Sequence, residues 1–500
     1  MKRSLLLAIV LALVLSCTGI GATTAALADD IYEVVIQFPT LGTTPQDLQM
    51  VEDAINVRTE AEIGVHVTFE PATAFDLSNT TNLMISSGDK LDLAMCMFEG
   101  GVGNYVNKGA IIELDELVAE YGQDIVAAEG QAMSGGYFNG NLYGIPSEEK
   151  MGRVRAFFAR EDLLEKYGIE NDPTHVYTYE ELSAIFETVQ AGEGKSFHCV
   201  AINSNEDMPF TYMNPVDHLG SSLASGCLEN YGIGTTTITN LYESEAFAAY
   251  CEIARDWYGK GYFAPDCNTN TDSALIQWQS GQYLGMFASA EPDMILNYNL
   301  AMQAYFGCDA VPMYVSEPAA MTQFYQSTLW MIPITCDNPE KTMQFLNLMY
   351  KDNEIINLLY RGIEGVHYNF QDGSDCVISY PEGIDNSNTP YSAILNVWGD
   401  KSKQYVMVPS DASYYTDLAA FNASISKESE VLGYCFNSDP VKAQLAGVNS
   451  VISEYLASLS LGVVDPATEL PEFISALKAA GIDEVIAENQ SQYDTWRQAQ

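Results

Sequence analysis

The chain has 500 residues, of which 47% are hydrophobic and 18% charged. That is too long for one compact core, so roughly two to four domains or lobes are expected. The 22 Lys and Arg against 67 Asp and Glu leave a formal charge of −45. This balance argues against nucleic acid or anionic lipid as a partner and against capture of highly charged anions, because each needs a basic face. A neutral or cationic ligand remains.

Residues 1–28 read as a secretory signal: Lys2 and Arg3, an uncharged apolar run, then small residues. The run is too short to span a membrane. Two processing routes fit. Val14-Leu15-Ser16-Cys17 matches a bacterial lipobox, which would make Cys17 an acylated N-terminus, and Ala26-Leu27-Ala28 matches an ordinary cleavage before Asp29. Either places the mature chain outside the cytoplasmic membrane.

After the signal, EVVIQFP reads as a buried strand ending at Pro39, and residues 45–61 as a helix opened by Thr44-Pro45. VHVTFE alternates as a strand, NTTNLMISSG is a short helix stopped by Gly88, and LDLAMCMF is a third strand. This alternation predicts parallel βαβ units. A second set follows: RAFFA, the helix TYEELSAIFETV with a capping box from Thr178 to Glu181, the amphipathic SEAFAAYCEIARDWYGKG, and the strand QYLGMFA. Asp337-Asn338-Pro339 opens another helix, and the last third is mostly helical over 439–459, 471–480 and 482–497. No linker of low complexity separates these sets, so lobes joined by several crossing strands are expected.

Catalytic signatures are missing. There is no G-x-S-x-G, H-E-x-x-H, phosphate loop or dinucleotide fingerprint. The five His are scattered without ligand-like spacing, so no metal and no cofactor is expected. Nine cysteines beyond Cys17 show no CxxC and read as small buried hydrophobes.

Five segments in one order resemble a known family. SGDKLDLAMCMFEGGVGNYVNKGAIIELDELVAEYG (87–122), NLYGIPSEEKMGRVRAFFARED (141–162), WQSGQYLGMFASAEP (278–292), TLWMIPITCDNPEKTMQFLNLMY (328–350) and the tail from RGIEGVHYNF onward are similar to the extracellular solute-binding proteins of bacterial sugar ABC importers, in a lipoprotein-type subgroup with its own C-terminal domain. The resemblance implies an α/β, two-lobed periplasmic-binding-protein-like (type II) fold, with hinge strands and a ligand cleft. It implies an N-terminal lobe of residues 29–152 plus about 312–364, and a C-terminal lobe of residues 153–311 plus about 365–500, in which 365–500 is specific to the subgroup.

Site residues follow from the matching motifs. Thr40 ends the first strand at the cleft mouth, or is a turn residue. Glu99 and Gly100 follow the third strand. Ser147 and Glu148 follow YGIP, and Arg153 sits at the first crossing. Glu291 follows GMFA where relatives place a stacking aromatic, a departure that removes stacking at that point. Trp278 and Trp330 are platforms or core residues. Glu364 and Tyr368 are placed in a third crossing, with Tyr414 and Tyr415 as further candidates. The function implied is a monomeric receptor that captures a carbohydrate, an oligosaccharide by preference, and delivers it to permease subunits. It needs no catalysis, binds no nucleic acid, and meets the membrane through a lipid on Cys17 if at all. A secreted glycoside hydrolase and a peptide-binding receptor are the alternatives.

Overall fold

The computed structural model describes residues 31–97, 101–147, 150–206, 208–391 and 397–499. Cys17, Glu99, Gly100 and Glu148 lie outside the described residues. Strand β1 (Tyr32–Thr40) is buried without interruption from Val34 to Thr40, as a strand covered on both faces must be. Helix α1 (Leu48–Ile63) leads to β2 (Val65–Thr73), which pairs with β1 in parallel, Val34 opposite Val67. The helix starts later than the Thr44-Pro45 signal suggested. The Leu48 N–H bonds the Pro45 carbonyl at 3.3 Å, so Pro45 belongs to a turn ahead of the helix.

Helix α2 (Leu77–Ser87) and strand β3 (Ala94–Met97) continue the alternation, with β3 joined to β1 by a parallel bridge from Leu93 to Ile36. The short strand β4 (Ile145–Pro146) then leads into the first crossing. In the second sheet, β5 (Arg155–Arg160) is followed by α3 (Tyr179–Glu193), β6 (His198–Val200), α4 (Pro209–Met213), α5 (Glu245–Lys260), α6 (Ala274–Gln279), β7 (Tyr283–Ser289), α7 (Pro292–Phe306) and β8 (Ala310–Tyr314). The order is β8-β5-β7-β6. The expected second set of parallel units is only partly formed: β6 and β7 are parallel, but β5 runs against both its neighbours. The reason is the crossing. A strand entering from the other lobe runs away from it, whereas β6 and β7 point their carboxyl ends back toward it. The predicted capping box of α3 is present, with the Thr178 hydroxyl accepting from the Glu181 N–H and the Glu181 carboxylate from the Thr178 N–H.

The chain returns through β9 (Ala319–Ala320) to β10 (Thr328–Met331), which lies between β3 and β4 and antiparallel to both. The first sheet therefore reads β2-β1-β3-β10-β4. Helix α8 (Pro339–Lys351) opens on Asn338 as its sequence predicts, the amide oxygen accepting from the Lys341 N–H at 3.2 Å. Helix α9 (Asn353–Arg361) follows, then a small sheet of the short strands Asn369–Phe370, Val377–Ser379 and Val406–Met407, and after it come α10 (Tyr414–Ala423) and β11 (Lys427–Glu428). The last three helices are α11 (Lys442–Ser460), α12 (Pro466–Ala480) and α13 (Ile482–Ala499).

Two large cores result. One gathers Val34, Ile36, Leu93, Trp330 and Leu346, and also Tyr391, Val397 and Trp398, residues expected in the other lobe. The other gathers Phe157, Phe186, Trp257 and Phe287, and buries Val448, Phe473, Leu477 and Ile482 from the C-terminal helices. Three segments run side by side between them: Arg153 bridges Ala319 in antiparallel fashion, and Ala319 pairs with Lys427 in parallel. Among the described residues no disulfide joins the nine cysteines, and six of them are buried, as small hydrophobes.

Candidate functional site

Open α/β sheets present ligands to the loops beyond the carboxyl ends of their parallel strands. Here the ends of β1 and β3 face those of β6 and β7 across the first crossing. Along the crossing and β5, side chains alternate. Arg153 and Arg155 point to one side, where a cavity of about 150 Å³ is lined by them together with Tyr212, His218, Gln323 and Phe324. Val154 points to the other side, into a hollow of about 540 Å³ whose walls include Pro292, Tyr314, Pro318 and Phe421. The first cavity combines planar hydrogen-bonding groups with aromatic faces, whereas the polar lining of the second is mostly hydroxyl, from Thr174, Ser316, Ser424 and Ser426, with the Glu317 carboxylate.

The polar cavity is held by named bonds. The Arg153 guanidinium lies 5.0 Å from the Phe324 ring centre and donates to the carbonyls of Lys150 and Gly152 at 3.1 and 3.0 Å. Arg155 lies 5.3 Å from the Tyr212 ring centre and donates to the Ser289 hydroxyl at the end of β7. The Gln323 amide oxygen accepts from the His218 N–H at 3.2 Å, and its nitrogen donates to the Val216 carbonyl at 3.2 Å. Asp217, wholly buried, accepts from the Thr322 and Leu219 N–H groups at 2.9 and 2.8 Å, and burial raises its pKa. Burial, and then the Arg155 charge, push the His218 pKa down to about 4, so the imidazole is neutral near pH 7. A neutral imidazole both donates and accepts, which suits a ligand rich in hydroxyls.

Several residues expected at the site have other work. Trp278 and Trp330 are fully buried, and their indole N–H groups bond the Leu284 and Val397 carbonyls at 2.9 Å each. Trp330 also stacks on Trp398, ring centres 5.2 Å apart, so both tryptophans are core and not platforms. Ser147 is wholly buried and donates to the Val397 carbonyl at 2.7 Å. Thr40 is buried, its hydroxyl donating to the Ala72 carbonyl at 3.3 Å. Glu291, 2% exposed, accepts from the Val154 N–H at 3.1 Å and ties the exit of β7 to the crossing. Glu364 and Tyr368 bridge each other within one local loop, and Tyr368 packs on Phe370 and Tyr405. They stand in no crossing: the third crossing is Lys427–Glu428, a polar dipeptide without a strand-like pattern. Tyr414 and Tyr415 pack edge to face at the start of α10. Arg153 alone among the described candidates lines the polar cavity.

Arg155, Tyr212, His218, Gln323 and Phe324 were not anticipated. Arg155 was within reach of sequence reasoning, since a strand places residues two apart on one side. Of the others, Tyr212 lies in the five-residue helix α4, Gln323 and Phe324 lie in a single helical turn over Thr322–Tyr325, and His218 lies in a loop, pieces too short to show a periodicity.

The family model described as bacterial extracellular solute-binding protein matches residues 54–363. A second, described as a domain of unknown function (DUF3502), matches residues 430–498. A carbohydrate ABC transporter substrate-binding protein of Streptococcus pneumoniae is 24% identical over 96% of this chain and 94% of its own. The crystal structure of an N-glycan transport solute binding protein (NgtS) from Streptococcus pneumoniae superposes with a TM-score of 0.77 at 22% identity, covering 93% of this chain and 98% of that one. The same protein in complex with Man5GlcNAc gives 0.65 at 22% identity, covering 94% and 99%. These likenesses show the two-lobed fold.

Proposed function

Because the chain belongs to the bacterial extracellular solute-binding proteins, we propose that it is the carbohydrate receptor of an ABC importer, taking an oligosaccharide between its lobes and handing it to a membrane permease. The observation that carries this is the cavity of guanidinium, imidazole, amide and aromatic groups at the meeting of two sheets joined by three crossings. Aromatic faces match the apolar faces of a pyranose while planar donors and acceptors take its hydroxyls. Bending at the crossings brings the lobes together, which shields those bonds from water and makes the shape that a permease reads. The lobes in this reading are residues 31–152 with 320–426, and 153–318 with 428–499.

The receptor holds its sugar without cutting it. Carboxylates around the crossing are already engaged: Glu291 by the Val154 N–H, Asp293 by Lys150 at 2.8 Å, and Glu317 by Lys427 at 3.1 Å. A glycosidase needs two carboxyls poised on the bond instead. A lipid on Cys17 would tether the receptor, and Cys17→Ala should then release it into the medium.

Thermal-shift screening against neutral glycans, Man5GlcNAc among them, tests the reading. A ligand at 100 times its Kd should add about 2.7 kcal/mol. Mass spectrometry of the incubated sugar should show no shorter products. No shift with any carbohydrate, or cleavage at about one turnover per second, would sink it.

A further inference from the structure

Two apolar side chains stand in water at the far end of the first sheet. Phe75 is 91% exposed and Leu41 59%. Single exposed hydrophobes are ordinary, but these two leave adjacent parallel strands at the same end, just past the in-register pair Thr40 and Thr73. The backbone beneath them is stitched together. The Ala74 N–H donates to the Thr40 carbonyl at 2.8 Å, the Thr40 hydroxyl to the Ala72 carbonyl at 3.3 Å, and the Asp76 N–H to the Thr73 carbonyl at 2.9 Å. Ala74 and Leu77 are buried on either side, so the turn is anchored while Phe75 and Asp76 between them are turned outward. Next to Leu41, Gly42 has φ +142°, a conformation that favours glycine, with nothing within 4 Å of the place a Cβ would take.

A ring held out in water by a fixed backbone forgoes burial and calls for a partner. A protein partner is a poor fit, since two side chains offer far less than the roughly 800 Å² per partner of a stable interface. A sugar ring fits in size and chemistry. Phe75 also lies at the ligand-facing carboxyl ends of the strands, but at the outer rim. In the order β2-β1-β3-β10-β4, four strand spacings of about 4.8 Å, roughly 19 Å, separate β2 from the strand that enters the crossing.

We propose that Phe75, with Leu41 beside it, is a stacking platform for a sugar ring at the outer end of an oligosaccharide whose inner end lies at Arg155 and Tyr212. This rests on the carbohydrate reading above and adds ligand length to it. A disaccharide cannot reach both places, whereas an extended tetrasaccharide or longer chain can. An apolar ring makes no hydrogen-bond demand, so the platform selects for length and the crossing selects for identity.

Calorimetric titration of wild type and Phe75→Ala against matched short and long sugars decides it. Suitable pairs are Man1GlcNAc with Man5GlcNAc, maltose with maltoheptaose, and cellobiose with cellohexaose. For the pair that wild type binds, the long member should lose about tenfold in affinity, about 1.4 kcal/mol, the short member should change by less than about twofold, and Phe75→Trp should restore the long member. The Tm of the ligand-free variant should stay unchanged, because Phe75 buries almost nothing. Unaltered affinity for the long sugar, or equal loss for both lengths, overturns the platform and leaves the receptor reading standing. Wild type that binds none of the pairs overturns both.

Discussion

At the scale of single residues, the site is defined by side chains whose neighbours change their chemistry. His218 has its pKa held near 4, against an ordinary 6.5, by burial and then by Arg155. Between pH about 6.5 and about 4 the unfolded chain therefore takes up a proton that the folded chain refuses. The stability associated with the neutral ring is present above that window and is lost as pH falls through it. His218→Gln, which cannot titrate, should lose less Tm than wild type between pH about 7 and about 4.5, read by differential scanning calorimetry. Identical pH profiles would mean that burial and Arg155 together do not hold the ring neutral. The two tryptophans show the opposite case: by sequence Trp278 and Trp330 are platforms or core residues, but an indole has one N–H to satisfy, and both satisfy it inside a core. Composition could not tell a buried indole from an exposed one, because both sit in short apolar runs.

At the scale of elements, the proposed closure of the lobes bends at the crossings. Gly152 lies where a Cβ would come within 2.7 Å of the Ala319 carbonyl oxygen and 2.9 Å of the Ile425 side chain. Gly152→Ala should prise the first and second crossings apart, at a cost of about 1–3 kcal/mol. It should also blunt the ligand-induced decrease in radius of gyration, measured by small-angle X-ray scattering. A variant with wild-type Tm and full compaction would show that the crossing yields without cost. Two helix starts were legible because their signals are local: Thr178 with Glu181, and Asn338 with Pro339, act within one turn, whereas Thr44-Pro45 marked a turn ahead of α1. Strand directions were not. Whether β5 runs with or against β7 depends on where the chain enters the sheet, and the third crossing at Lys427–Glu428 is only two residues long.

For the molecule as a whole, charge is the dominant feature. A formal −45 leaves the compact state under self-repulsion, which salt screens over a Debye length of about 10 Å at about 0.1 M. Raising NaCl from about 0.01 M to about 0.3 M should therefore increase Tm. A flat or falling response would mean that the exposed pairs, such as Lys166–Glu193 and Lys478–Glu243, outweigh the net repulsion.

The sequence by itself determined the α/β class, the helix caps at Thr178 and Asn338, the absence of a lobe linker and the five ordered segments that resemble the solute-binding family. These are properties of short windows and of their order along the chain. Only the tertiary structure decided which side chains meet. Arg155, Tyr212, His218, Gln323 and Phe324 come from three stretches spanning 155 to 324, and they converge because the crossings bring the ends of two sheets together. Thr40, Ser147 and Glu291 stand close to that meeting point in sequence terms, yet their polar atoms are taken up by Ala72, Val397 and Val154. A polar group at a strand end can hold the scaffold or hold a ligand, and what settles it is whether a backbone partner lies within about 3 Å.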